Sequence, residues 1–149
     1  MAEVSGTEAV IAVLGRWAPG DLAFIERLEY SAASLDAGAA LMIDALFQRG
    51  DLSKPWPSPS GNCCRVSLLF TDPVNFALKG FSGRAKQIEG FFIEDISDRQ
   101  WEGLRFSVGD HEDGYIAFLC REVRVLQASP LLPASNPAFT AYPQASRWP

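Results

Sequence analysis

Between positions 104 and 120 the apolar side chains fall on every second residue. Leu104, Phe106 and Val108 alternate with Arg105 and Ser107, and Ile116, Phe118 and Cys120 follow in the same rhythm. A period of two puts such residues on one face of an extended chain, so this segment reads as paired strands with one buried face. Asp113-Gly114 lies between the two runs, the dipeptide that closes a tight hairpin. A chain carrying this hairpin is constrained to an antiparallel sheet, which must bury its apolar face against another layer.

The alternation recurs. Cys64, Val66, Leu68 and Phe70 share one face; Asp72-Pro73 interrupts, and Val74, Phe76 and Leu78 resume. Proline is excluded from a central strand, so that point predicts a bulge, a bend in one long edge strand, or a corner between sheets. Phe91 and Ile93 make a further strand face. After Cys120 the phase slips to Val123 and Val125, which predicts a bulge near Arg121-Glu122. Residues 21–48 admit two readings. Their alanine and leucine content suits a helical hairpin. The alternation of Ala39, Leu41, Ile43, Ala45 and Phe47, and of Phe24, Leu28, Tyr30 and Ala32, favours two strands turning at Asp36-Ala37-Gly38.

Residues 5–17 read as a helix. Ser5-Gly6-Thr7-Glu8 has the form of a capping box, Val10, Val13, Leu14 and Trp17 form one face, and Pro19-Gly20 ends the element. Residues 49–62 form a loop with Pro55, Pro57 and Pro59, in which Trp56 is expected to be exposed. Residues 79–86 form a basic loop. The tail 129–149 holds Pro130, Pro133, Pro137, Pro143 and Pro149. With Leu131, Leu132, Phe139, Tyr142 and Trp148 to dock it, the tail reads as an extended packed strap.

The predicted architecture is mainly β. It is an antiparallel β-sandwich or half-open barrel of about six strands, with one N-terminal helix and a Pro-rich C-terminal strap. The 149 residues form a single domain: helix 1–20, β domain 21–128 and strap 129–149.

Charge is distributed unevenly. From 87 to 115 the acids Glu89, Glu94, Asp95, Asp98, Glu102, Asp110, Glu112 and Asp113 face only Arg99 and Arg105, a local charge of −6 in a chain whose net charge is −5. Such a balance repels phosphate, so nucleic acid is not the expected partner. No apolar run reaches the ~20 residues that span a bilayer, so no membrane partner is expected. Glu3 and Glu8 without an early base do not resemble a secretory signal, and cytoplasmic residence is the expectation. Cys63, Cys64 and Cys120, odd in number, read as reduced structural thiols.

Each candidate chemistry competes with a structural explanation. His111 stands among Asp110, Glu112 and Asp113, but it is the only histidine. A hairpin tip explains those residues without a metal, and no cofactor is expected. Glu94, Asp95, Asp98 and Glu102 contain carboxylate pairs for hydrolysis only if a cleft brings them into register. Gly80-Phe81-Ser82-Gly83 lacks the nucleophile-elbow spacing, and no phosphate loop is present. Trp101, set between Arg99 and Glu102, has the character of an interface anchor, although it could also cover the end of a sheet.

The stretch Ile88-Glu89-Gly90-Phe91-Phe92-Ile93-Glu94-Asp95-Ile96-Ser97-Asp98-Arg99-Gln100-Trp101-Glu102-Gly103, with Phe106-Ser107-Val108-Gly109-Asp110 and Ile116-Ala117-Phe118-Leu119-Cys120, resembles a pattern in small uncharacterised bacterial β-rich proteins. Some of these are similar to immunity proteins of polymorphic toxin systems. The resemblance covers about residues 64–126 and extends toward the 21–47 hairpin. It implies a non-enzymatic fold that binds a protein such as a cognate toxin, and it brings no catalytic residue. The expected function is therefore binding of a basic protein through Glu94, Asp95, Asp98, Trp101, Glu102, Asp110, Glu112 and Asp113. The alternatives are a carrier of a small apolar ligand, lined by Phe70, Phe76, Phe92, Phe106 and Phe118, and a hydrolase at the acidic loop.

Overall fold

Two antiparallel sheets pack face to face around one apolar core in the computed structural model, which describes residues 1–49, 63–99 and 101–131. Trp56 and its Pro-rich loop, Gln100, and the strap residues Leu132, Phe139, Tyr142 and Trp148 lie outside the described residues. In chain order, helix α1 spans Glu8–Leu14, and the strands are β1 Leu22–Ser31, β2 Ala40–Gln48, β3 Cys63–Thr71, β4 Val74–Leu78, β5 Lys86–Gln87, β6 Phe91–Asp95, β7 Phe106–Asp110, β8 Ile116–Cys120 and β9 Glu122–Pro130. Sheet A has the order β5-β1-β2-β3-β9 and sheet B the order β4-β8-β7-β6. Among the described residues the sandwich is not closed into a barrel, and no helix is long and apolar enough to cross a membrane.

Residues 21–48 are strands: β1 and β2 pair as a hairpin, Leu28 opposite Ile43 and Tyr30 opposite Leu41. The alternating β2 face (Leu41, Ile43, Ala45, Phe47) is fully buried, as is the β3 face (Cys64, Val66, Leu68, Phe70). Packing of that kind overrides helix propensity, which is worth less than ~1 kcal/mol per residue. The expected β1 face is out of phase at its start. Bulges on either side of the Phe24-Ile25 pair accompany the burial of Leu22 and Ile25 in the core and of Phe24 in a second cluster with Leu46, Cys63 and Leu131.

Nine described strands replace the expected six or so for a geometric reason. Two long strands each change sheets. Thr71 opposite Glu122 is the last β3–β9 pair of sheet A, and Val74 opposite Leu119 opens the β4–β8 pairing of sheet B. The chain turns the corner at Asp72-Pro73 on one strand and at Arg121 on the other. The Arg121 N–H donates to the Thr71 carbonyl (2.9 Å), and that of Asp72 donates to Ala39 O (2.8 Å). Asp72 adopts φ +51°, a left-handed conformation that Asp tolerates better than most residues. The Asp72-Pro73 interruption is thus a corner between sheets. The phase slip after Cys120 is the same corner rather than the expected bulge: Phe118 and Cys120 face inward from one sheet, Val123 and Val125 from the other. The ninth strand is the two-residue β5, which pairs with β1.

The N-terminus departs from the expected capping box. Thr7, not Ser5, is the N-cap, and its side chain makes no capping bond. Ser5 instead pairs with β9: its N–H donates to Val123 O (3.1 Å) and its carbonyl accepts from Val125 N–H (2.8 Å). This pairing covers part of a sheet edge that would otherwise expose its ladder groups. The helix ends at Leu14, with Gly15 in a left-handed C-cap (φ +82°) and Arg49 donating to Leu14 O (2.8 Å). Val10 and Leu14 enter the core. Trp17, expected on the helix, lies beyond it and stacks on Phe47 with ring centroids 5.8 Å apart. At the other end, β9 continues through Ser129 and Pro130, opposite Arg65 and Cys64, so the β domain runs past the boundary expected at 128. Proline is accommodated there because β9 is an outer strand of the sheet.

Candidate functional site

The β6–β7 hairpin decides how the acidic residues are arranged. Asp95 pairs with Phe106 and Phe91 with Asp110, so residues 94–99 and 101–102 lie at one end of sheet B and residues 110–113 at the other. Four strand steps separate the ends, roughly 13 Å. Glu89 precedes Gly90, whose carbonyl accepts from the His111 N–H at the second end, so the eight acids that form one run in sequence are two groups in space.

The distal group is mostly a turn. Asp110 is 8% exposed. Its Oδ2 accepts from the N–H of Asp113 (3.1 Å) and Gly114 (2.9 Å), and its Oδ1 from that of Ile116 (2.9 Å). Asp110 thus organises the hairpin loop and belongs to the interior rather than to an acidic surface. Glu112 and Asp113 are exposed beside it, and the exposed His111 ring stacks on Phe92 with centroids 4.4 Å apart. Phe92 lies opposite Gly109, whose missing side chain leaves room for the ring.

The proximal group shares its end of the sheet with Trp101. Ile96 is completely buried, and it pins the loop: its N–H donates to Arg105 O (2.7 Å), and its carbonyl accepts from Arg99 N–H (3.0 Å) across the 3-10 turn Ser97–Arg99. Burying such a side chain stabilises the loop by about 2 kcal/mol. Asp95 accepts from Ser97 N–H (2.9 Å), Ser97 Oγ–H (2.6 Å) and Ala2 N–H (3.1 Å). The Ser97 bonds, first that of its hydroxyl, hold the Asp95 carboxyl below its ordinary pKa. Glu94 pairs with Arg99 at 3.6 Å. Trp101 is 48% exposed, and the Arg99 guanidinium lies 5.6 Å from its ring centroid. Asp98 and Glu102 are exposed nearby in sequence on the same loop. Of the anticipated contact residues, Glu94, Asp95, Asp98, Trp101 and Glu102 belong to this end of the sheet, whereas Asp110, Glu112 and Asp113 belong to the other.

Of the aromatic residues considered for a ligand cavity, Phe70, Phe106 and Phe118 are buried in one core with Phe76 packed against it. Phe118 packs against Phe70 (5.0 Å, edge-on) and Phe76 (5.6 Å), while Phe92 lies over Gly109 and His111. The carboxylates considered for hydrolysis, Glu94, Asp95, Asp98 and Glu102, all lie at the Trp101 end of the sheet, where Asp95 accepts from Ser97 and Ala2 and Glu94 pairs with Arg99. Cys64 and Cys120 are buried, and burial pushes their thiols up to about 11 and about 12 respectively, so neither is poised as a nucleophile.

The sequence reading did not anticipate a cleft of about 290 Å³ at the sheet corner. Ala40 and Thr71 lie at the ends of β2 and β3, Ala39 comes from the β1–β2 loop, and Asp72, Arg121 and Glu122 come from the corner. Arg121 Nε is 3.5 Å from Asp72 Oδ2. The Asp72-Pro73 break and the phase slip at Arg121 were its two sequence signals, but only pairing brings them together. Comparison with protein-family models, curated proteins and solved structures found no significant match.

Proposed function

We propose that this protein is a non-enzymatic protein-binding domain whose contact surface is the Trp101 end of sheet B, and that its partner is a basic protein. The sequence resemblance to immunity proteins points to a toxin as the partner class. The reading is carried by one observation: a half-exposed tryptophan stands on a loop held in place by the buried Ile96. Interface hot spots favour large aromatics presented with little conformational entropy left to lose. Glu94, Asp98 and Glu102 supply negative charge that speeds encounter with a basic surface.

Affinity capture from extracts of the source organism, with the full chain as bait, tests this reading. Trp101→Ala is expected to weaken retention of a specific partner by 10-fold or more, and Asp98→Lys with Glu102→Lys to slow its association. A partner retained equally by the parent and all variants would show that this surface is not the interface.

A further inference from the structure

The corner cleft and the Trp101 loop are neighbours. A side chain at Gly103 would lie 3.7 Å from the Arg121 guanidinium, and the same arginine lines the cleft. On the other side Gly38 and Ala39 belong to the β1–β2 loop, where a Cβ at Gly38 would meet an Asp72 carboxylate oxygen at 2.6 Å. That loop turns at Ser34, whose N–H donates to Ala37 O (2.8 Å), and it holds Leu35 fully exposed. The cleft therefore lies between two loops, each presenting a large apolar side chain to solvent.

The charges in the cleft are unequal. Asp72 and Glu122 provide two carboxylates against one guanidinium. Arg121 sits 3.5 Å from Asp72, beyond a good charge-assisted hydrogen bond, and the arginine is exposed and the aspartate partly so. Such a contact is worth little and is easily exchanged. A cation arriving from outside would find two carboxylates beside a backbone that is already fixed at the corner.

Building on the protein-binding reading above, we infer that the cleft receives a lysine or arginine side chain of the protein partner, with Trp101 and Leu35 packing on the apolar residues that flank it. Asp72 and Glu122 accept from the incoming cation, and Arg121 swings away from Asp72 to admit it. The partner segment is thus a loop or terminus in which a basic residue is flanked by apolar ones.

The test is selection of displayed random twelve-residue peptides on the full chain. Affinities of the enriched peptides are then measured for the parent, for Asp72→Asn with Glu122→Gln, and for Trp101→Ala. Asn suits the left-handed conformation at position 72, so the double variant is expected to fold, and its melting curve checks this. The expected result is enrichment of peptides with a lysine or arginine, whose binding falls 10-fold or more in the double variant. Peptides without a basic residue, or peptides that bind the double variant as tightly as the parent, overturn the cleft. If those peptides still lose binding in Trp101→Ala, the protein-binding reading survives alone. If no peptide is enriched, or none responds to either variant, both fall.

Discussion

The carboxylate of Asp110 accepts the backbone N–H of Ile116 at 2.9 Å and so joins the last residue of β7 to the first residue of β8. With the amides of Asp113 and Gly114 on its other oxygen, one side chain satisfies two donors of the five-residue loop and the first donor of β8. Asp110→Ala leaves those donors without this acceptor and is expected to destabilise the protein by about 2–4 kcal/mol, with Asp110→Asn intermediate. Denaturant titration reads the difference. A loss below about 0.5 kcal/mol would mean that the loop holds its shape without the carboxylate.

Gly6 and Gly114 both have positive φ, +78° and +65°, but their surroundings differ. A Cβ at Gly6 would collide with the Val125 carbonyl, whereas one at Gly114 meets nothing within 4 Å. Gly114→Ala is expected to cost about 1 kcal/mol, from backbone strain alone. Gly6→Ala should cost at least about 3 kcal/mol, because the N-terminal segment must also separate from β9. Equal losses in thermal or chemical unfolding would contradict the pairing of Ser5 with β9.

The buried thiols make stability fall in alkali. Cys64 and Cys120 hold their protons in the folded state up to about 11 and 12, above the ordinary value of 9.0. Between those limits the folded chain binds more protons than the unfolded one, so unfolding free energy decreases as pH rises. The contribution is fully present below about pH 8 and is lost progressively above 9. A thiol reagent at pH 8 should label neither cysteine until the chain unfolds. Rapid labelling of the native protein at either position would refute their burial.

The Asp95 carboxyl titrates below its ordinary 3.8 because Ser97 donates to it twice. A carboxyl whose pKa falls on folding stabilises the fold above its unfolded value, and this is lost as pH drops through the folded one. Ser97→Ala removes the hydroxyl bond and is expected to move the Asp95 titration upward in a side-chain carboxyl NMR experiment. An unchanged midpoint would show that the serine is not its main partner.

Phe118 meets Phe70 edge-on and Phe76 obliquely at the centre of the sandwich. Phe118→Ala is expected to cost about 3–5 kcal/mol, from lost burial and the cavity left behind. Trp101→Ala, at a half-exposed position, should change stability by less than about 0.5 kcal/mol. This contrast separates core from contact surface. A Trp101 variant as damaged as the Phe118 variant would make that tryptophan a structural residue.

Much of the fold was legible because its signal is local. The apolar faces of β2, β3, β7 and β8 are those that the alternation marks, and Asp113-Gly114 lies in the loop it predicts. Ser5 misled because a capping box and an edge-pairing residue look alike in sequence: a serine before a helix can serve either. The site was less legible. Trp101 stood out by its polar neighbours, but Asp110, counted among the surface acids, turned inward to serve the turn. The loop's anchor, Ile96, drew no notice as a single apolar residue among charged ones.

Alternation along the chain determined that this protein is made of antiparallel strands and which side of most of them is buried, because side-chain direction in a strand is set residue by residue. Tertiary structure alone decided the division into two sheets, since a strand that turns a corner keeps its apolar pattern while changing its partners. The same folding separated the acids around Trp101 from those beyond Asp110 and brought Asp72 and Arg121 into contact. Electrostatics depends on distance in space, and the pairing of β6 with β7 and of β3 with β9 sets those distances.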